Sequence, residues 1–136
     1  MKGLLFGGVR LGSPIGDVGL LILRVFAGLS LAMAHGLGKL PPSEQFMAGV
    51  RSLGFPAEMA WLTMLTELFG GIALAAGFAT RPVALAMAIN FTVAGFGAHA
   101  ADPYGRKELP FLFLAIAVMF LCVGAGRYSI DRLLKK

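Results

Sequence analysis

Glu67 is the residue of this sequence best placed to do chemistry, because it is the only formal charge in the apolar segment 59–77. A helix of about 20 residues is long enough to span a bilayer. A carboxylate at that depth costs about 3 kcal/mol or more unless it is protonated, paired or hydrated. Glu67 is therefore a candidate catalytic residue that relays protons. The alternative is a structural hydrogen bond or ion pair that holds helices together.

The two histidines, His35 and His99, are the other candidate catalytic residues, and both lie near the ends of apolar segments. Imidazole gains and loses a proton near neutral pH. From a helical rise of about 1.5 Å per residue, both histidines lie about 25 Å from one membrane face and Glu67 about 18 Å from it. Because side chains lean toward the N-terminus of their helix, the three are expected to meet in the outer half of the bilayer.

Basic residues are expected around this group. Lys39 follows His35 and should lie above the cluster, whereas Arg24, about three helical turns before His35 on the same face, should form an inner layer with Asn90. The candidate ligand-binding residues are Arg24, His35, Lys39, Glu67, Arg81 and His99.

Asn90 and His99 do not fit on one face, since nine residues place them about half a turn out of phase on a regular helix. Two explanations stay open. The helix unwinds around Gly95 and Gly97, or Asn90 faces a neighbouring subunit.

The composition is that of an integral membrane protein. Of 136 residues, 57% are hydrophobic and 14% charged, with a mean hydropathy of +0.80; soluble domains carry about 25% charged residues. The length fits one domain, 1–136. The net charge is +5, but the basic residues lie in loops and tails, where they set membrane orientation, so nucleic acid is excluded as a partner.

Four apolar segments, at about 18–38, 59–77, 83–101 and 109–125, predict an all-α, antiparallel four-helix membrane bundle. Asp17 is expected to cap the first helix. In the first loop, Ser43-Glu44 resembles a helix start, and Phe46, Val50 and Leu53 follow at helical spacing. This pattern predicts a short interfacial helix.

The loop charges predict the orientation. The side holding both chain ends has seven basic residues and the other side four. The first group is Lys2, Arg10, Arg81, Arg127, Arg132, Lys135 and Lys136, and the second is Lys39, Arg51, Arg106 and Lys107. Because positive charge marks the cytoplasmic side, both termini of this multi-pass, bacterial-type inner-membrane protein are expected to be cytoplasmic.

The ordered set of short motifs resembles the DoxX family of small four-helix membrane proteins. The motifs are Leu23-Arg24 with Gly28, Ala34-His35-Gly36 with Lys39, Leu53-Gly54-Phe55-Pro56, Glu67 with Gly70-Gly71, Gly77-Phe-Ala-Thr-Arg81, His99, and Gly124-Ala-Gly-Arg-Tyr-Ser-Ile-Asp131. The resemblance implies four helices with both ends cytoplasmic. The family is named after a subunit of an archaeal thiosulfate:quinone oxidoreductase, and other members resemble subunits of membrane oxidoreductase complexes linked to thiol or oxidative stress.

Three functions stay open at this point. The first is an accessory subunit of an oxidoreductase complex that binds a quinone in the polar pocket and receives electrons from a partner. The second is a metal site formed by His35, His99 and Glu67, although their spacing gives it less support. The third is a non-enzymatic assembly, anchoring or small-solute permeation protein. The expected partners are the lipid bilayer and either copies of the chain or other membrane or redox subunits. The lone Cys122 excludes a Cys-x-x-Cys pair.

Overall fold

The computed structural model describes residues 8–9 and 11–135, and in this part of the chain it contains helices and connecting segments without any strand. The helices are, in chain order, α1 (Pro14–Leu31), α2 (Glu44–Ser52), α3 (Met59–Ala76), α4 (Thr80–Val93), α5 (Tyr104–Val123) and α6 (Ile130–Leu134). The predicted all-α fold is therefore confirmed.

Two of the helices end in irregular turns. α1 continues through a π-helical turn, Ala32–Gly36, and a 3₁₀ turn, Leu37–Lys39. α4 continues through a second π-helical turn, Ala94–Ala98, which contains the two glycines at which unwinding was one expectation. Single π-turns inside helices are frequently found at functional sites.

Among the described residues, three helical segments are long and apolar enough to cross a membrane: Pro14–Lys39, Met59–Ala76 and Thr80–Ala98. The protein is thus a multi-pass membrane protein. α5 has 20 residues, but Arg106, Lys107 and Glu108 occupy its first two turns. Its apolar part, 109–123, is shorter than the roughly 20 residues that a membrane-spanning helix needs. The fourth span accordingly stays a prediction.

The start of α1 differs from the expected one. The side chain of Ser13 caps the helix by accepting a hydrogen bond from the Gly16 N–H at 3.4 Å, and Pro14 occupies the first turn. Asp17 lies inside the first turn, so its expected role as the cap was wrong. Proline favours the start of a helix because its missing N–H has no partner there in any case.

The short helix α2 begins as predicted, since the Ser43 side chain accepts a hydrogen bond from the Phe46 N–H at 3.2 Å. Val50 is buried, and Phe46 and Leu53 are half-buried, so this face of α2 packs inward. Its location in the membrane interface stays a prediction.

α1 and α3 pack backbone against backbone through glycines. A Cβ atom added to Gly28 would lie 2.4 Å from the Gly71 carbonyl oxygen, and one added to Gly36 would lie 2.4 Å from the Leu68 nitrogen. Small residues allow such close approach between membrane helices. This contact holds the π-helical turn after α1 directly against the segment of α3 that carries Glu67.

The four longer helices share one apolar core. It comprises Ala27, Leu31, Leu74, Ala84, Met87, Phe91, Phe113, Ala117 and Phe120. α3 and α4 are joined by the tight link 77–79, in which Gly77 and Ala79 have positive φ angles of 69° and 46°. A link this short makes them antiparallel neighbours. Three residues of the charge count that predicted orientation, Lys2, Arg10 and Lys136, lie outside the described residues.

Candidate functional site

Glu67 is buried in the middle of α3, with 4% of its surface exposed. Its Oε2 atom accepts a hydrogen bond from the ammonium group of Lys39, with which it forms an ion pair. Its Oε1 atom accepts a hydrogen bond from Nδ2 of Asn90 at 3.3 Å. Both carboxylate oxygens are therefore satisfied, as a charge at this depth requires.

Lys39 reaches Glu67 from the 3₁₀ turn after α1. Its side chain is 29% exposed, whereas that of Glu67 is 6% exposed. The ammonium nitrogen also lies 5.4 Å from the ring centroid of Phe46 in α2, at a distance typical of a cation–π contact. The pair thus joins the interior of the bundle to its rim, and Lys39 is the member that is open to solvent or ligand.

Asn90 was expected beside Arg24 but instead lies at the level of Glu67. The reason is the start of α4. The sequence predicts a start of this helix at Val83, whereas α4 begins at Thr80. Glu67 lies ten residues before Gly77 and Asn90 ten residues after Thr80, so antiparallel α3 and α4 bring them to the same depth.

His35 lies in the π-helical turn after α1 and is half-buried. Its ring packs edge-on against Phe113 of α5, with ring centroids 6.0 Å apart and an interplanar angle of 78°. Within the described residues, neither ring nitrogen makes a hydrogen bond. The next residue, Gly36, touches the backbone of Glu67 and Leu68, so the turn that carries His35 packs against the segment of α3 that carries Glu67. The His35 ring itself retains free hydrogen-bonding capacity.

His99 belongs to a different group. Its Nδ1 atom lies 2.7 Å from Oδ2 of Asp102, and Nη1 of Arg106 lies 3.7 Å from the other oxygen. The hydrogen bond with His99 is the main reason that the pKa of the Asp102 carboxyl is lowered, and the positive charges of Arg106 and Lys107 act in the same direction. The expected contact between His99 and Glu67 is therefore replaced by a cluster in the loop before α5.

Arg24 forms a second polar centre at the end of the bundle where α3 ends. With 1% of its surface exposed, it donates hydrogen bonds to three carbonyl oxygens. Nε donates to Ala75 at 3.2 Å, Nη2 donates to Tyr128 at 2.6 Å, and Nη1 donates to Ala125. Arg24 thereby fastens the C-terminal segment 124–135 to α1 and α3. This arrangement uses the guanidinium as a structural clamp.

Asp131 completes this second centre, and sequence reasoning gave it no role. Its buried carboxylate accepts hydrogen bonds from the N–H groups of Ala79 at 2.7 Å and Thr80 at 2.9 Å, at the start of α4. The available signal was an aspartate that closes a motif in a basic surface tail. Arg81 lies at the same end, where its Nη2 atom donates to the Cys122 carbonyl at 3.0 Å.

The structure therefore brings together Lys39 and Glu67 from the candidate set and adds Asn90, while His35 lies on the turn that packs against this part of α3. It does not join the three proposed metal ligands, because His35 packs on Phe113 and His99 bonds to Asp102. Across the described residues, no group of three histidine, cysteine, aspartate or glutamate side chains could hold a metal ion.

Comparison with known proteins agrees with the architecture. The chain is 36% identical to "Inner membrane protein YqjF" of Escherichia coli over 124 residues, which cover 88% of this chain and 95% of that protein. It is 29% identical to "Putative oxidoreductase CatD" of Bacillus subtilis over 116 residues, which cover 85% of this chain and 86% of that protein. No solved structure matches the chain.

The family comparison covers most of the three apolar segments and part of each polar centre. The profile of the DoxX family matches residues 19–100, a range that contains Arg24, His35, Lys39, Glu67, Asn90 and His99. This range is more than half of the chain. The chain belongs to the DoxX family.

Proposed function

We propose that this protein is a membrane-embedded subunit of an oxidoreductase, and that the Lys39–Glu67 pair with His35 binds a lipid-soluble quinone. One observation carries the proposal. A buried carboxylate is paired with an ammonium group that is partly exposed at the rim, and the helical turn packed against the backbone of Glu67 carries a histidine whose ring nitrogens bond to no described residue. Buried ionisable residues in membrane spans commonly mark ligand or proton pathways.

The chemistry of quinone reduction fits these three side chains. A quinone takes up two electrons and two protons, and its two carbonyl oxygens accept hydrogen bonds before reduction. Lys39 and His35 offer donors for those oxygens. Glu67 can take up a proton from solvent at the exposed rim and pass it to whichever donor has lost one. No flavin, haem or iron–sulfur motif occurs in the sequence, so a partner subunit that carries a redox cofactor supplies the electrons.

The comparisons support the class of function rather than the ligand. One relative has the word oxidoreductase in its name, and both named relatives are covered over most of their length. We therefore propose that its partners are membrane or redox subunits, or further copies of this chain.

A quinone titration tests this proposal. The purified protein in nanodiscs is titrated with decylubiquinone and with menadione, and quenching of Trp61, the only tryptophan, is followed. We expect saturable quenching with an apparent Kd at least tenfold weaker in Glu67→Gln and in His35→Ala. His99→Ala is the matched control, since His99 bonds to Asp102 in the loop, and it should bind as the wild type does. Equal quenching in all four proteins contradicts the proposal.

A second function has one observation in its favour. Both oxygens of Glu67 already accept hydrogen bonds, as expected if the pair serves only to assemble or anchor the bundle. In that case the wild type shows no saturable quinone binding, while Glu67→Gln still lowers stability. If the protein is instead a permeation path, Glu67→Gln should leave its stability intact and change the flux of solute. The metal alternative is tested by elemental analysis of the purified protein.

The orientation is part of the proposal. The Val9 N–H donates to the Val123 carbonyl at 2.9 Å, so the residues before α1 lie beside the end of α5. This contact favours four crossings with both termini on one face, which the charge count assigns to the cytoplasm. A green fluorescent protein fused to either end should fluoresce in intact bacteria. Fluorescence from only one of the two fusions would mean that α5 does not cross.

A further inference from the structure

A cleft of about 410 Å³ lies at the end of the bundle where α1 begins and α5 ends. One wall comes from the residues before and at the start of α1, and the other from the C-terminal segment 124–135. Its volume falls within the range of about 300–1,000 Å³ that is usual for small-molecule sites. It is separate from the Lys39–Glu67 pair, because Lys39 follows the opposite end of α1.

Three basic side chains, Arg127, Arg132 and Lys135, line this cleft and are exposed. None of them forms an ion pair with a described residue. The one ring contact is between Arg127 and its neighbour Tyr128, with the guanidinium carbon 5.9 Å from the ring centroid. Cations that protein carboxylates leave unpaired are available to an external anion.

Two acidic residues also line the cleft, and they differ in availability. The carboxylate of Asp131 is buried and accepts hydrogen bonds from the Ala79 and Thr80 N–H groups, and the Arg24 guanidinium lies within its electrostatic reach. Its charge is therefore largely balanced inside the protein. Asp17 in the first turn of α1 is half-buried, so it is the one acid that opposes an anion in the cleft.

We propose that this cleft binds a phosphate-bearing anion, the headgroup of an anionic phospholipid. The cleft lies where the first membrane-spanning segment begins, and in the orientation proposed above, on which this step rests, that end of the bundle faces the cytoplasm. Arginine presents paired N–H donors that match phosphate oxygens, and basic clusters at the cytoplasmic face attract anionic lipids. Soluble phosphate shares this chemistry and is the other source of the same group.

Lipid retention measured by native mass spectrometry tests the proposal. The intact protein is released from micelles that contain equal amounts of phosphatidylglycerol and phosphatidylcholine. We expect the wild type to retain phosphatidylglycerol preferentially. The variant Arg127→Gln/Arg132→Gln/Lys135→Gln should lose this preference by at least tenfold, given roughly fivefold for each basic residue at a membrane surface. Asp17→Asn should strengthen retention severalfold, because it removes the opposing charge.

The matched control is Arg51→Gln/Arg106→Gln/Lys107→Gln, which removes the same charge from the opposite end of the bundle. It should retain phosphatidylglycerol as the wild type does. Equal loss in both triple variants, or equal retention of the two lipids by the wild type, overturns the proposal. If millimolar inorganic phosphate binds at the wild-type cleft and neither lipid is preferred, the cleft is a site for soluble phosphate. That outcome overturns its assignment to a lipid headgroup. Thermal unfolding of each variant verifies that it is folded, and the quinone titration is independent of every outcome.

Discussion

Lys39 and Glu67 form an ion pair between the end of the segment that follows α1 and the middle of α3. The two ends of the pair lie in different surroundings, since the lysine side chain is 29% exposed and the glutamate side chain 6% exposed. Water can replace the partner of the ammonium group but can hardly reach the carboxylate. Removing one charge of the pair should therefore cost a different free energy of unfolding from removing the other.

Removing Lys39 should destabilise the protein more than neutralising Glu67. Lys39→Met leaves a buried carboxylate with Asn90 as its remaining partner, which should cost about 3 kcal/mol. Glu67→Gln leaves an ammonium group that can hydrate, and should cost about 1 kcal/mol. Reversible unfolding in mixed detergent micelles measures both values. The double variant should be more stable than Lys39→Met alone, since no unpaired charge remains in the interior. A larger loss in Glu67→Gln than in Lys39→Met would show that the carboxylate is hydrated.

The sequence predicts the depth of Lys39 and Glu67 in the membrane, and to that extent it predicts that they can meet. Counting residues along helices placed Glu67 within the membrane and Lys39 near one face, and the structure pairs them. The same arithmetic failed for Asn90, because an error of three residues at the start of α4 moves a side chain by almost a full turn.

The histidines show a second limit of sequence reasoning. Both end apolar segments at similar depth, yet His35 lies within a π-helical turn and His99 directly follows another. Such a turn changes the phase of the helix in a way that regular periodicity does not reveal. Asp102, three residues after His99, provides a local partner that competes with the distant Glu67. The all-α fold could be predicted from the sequence because the length of the hydrophobic segments decides it. The direction of each side chain could not, because it depends on such local turns.

Arg24 should prove structural when it is replaced. Arg24→Met removes three hydrogen bonds to carbonyl groups from α3 and the C-terminal segment, with an expected loss of about 3 kcal/mol. Arg24→Lys should lose less, because an ammonium group retains the charge but cannot span all three oxygens. Freed from the clamp, the C-terminal segment should be cut faster by trypsin after Arg127. Arg51→Met, in the exposed face of α2, is the control and should be cut as the wild type is. An unchanged cleavage rate in Arg24→Met would show that other contacts hold the segment.

Gly36 should not tolerate a methyl group. In Gly36→Ala the new Cβ atom would lie 2.4 Å from the Leu68 nitrogen, a backbone atom that cannot move aside as a side chain can. The π-helical turn after α1 must then separate from α3, with an expected cost of about 2–3 kcal/mol. Gly19→Ala in α1 is the control, because nothing lies within 4 Å of its added Cβ atom. That exchange should be neutral or stabilising by up to about 1 kcal/mol. Thermal unfolding compares the two, and equal stabilities would mean that α1 and α3 are not in close contact.

The acid titration of Asp102 should depend on His99. The hydrogen bond from His99, assisted by Arg106 and Lys107, holds the pKa of Asp102 below its ordinary value of 3.8. A carboxyl whose pKa is lowered by folding stabilises the protein above its unfolded pKa, and this contribution disappears as the pH falls through the lower folded value. The loop cluster should therefore be unaffected by Asp102 protonation between about pH 5 and pH 8 and weaken only under strong acid.

Carbon-13 NMR of the aspartate carboxyl groups measures this pKa directly, with Asp102→Asn to assign the signal. In His99→Ala the pKa should rise toward the ordinary value, because the largest cause of the shift is gone. Arg106→Gln should raise it less, since the guanidinium nitrogen lies 3.7 Å from Oδ1 and its side chain is 73% exposed, where solvent screens the charge. Should His99→Ala leave the pKa unchanged while Arg106→Gln raises it, the charge of the α5 terminus, rather than the hydrogen bond, would control this carboxyl.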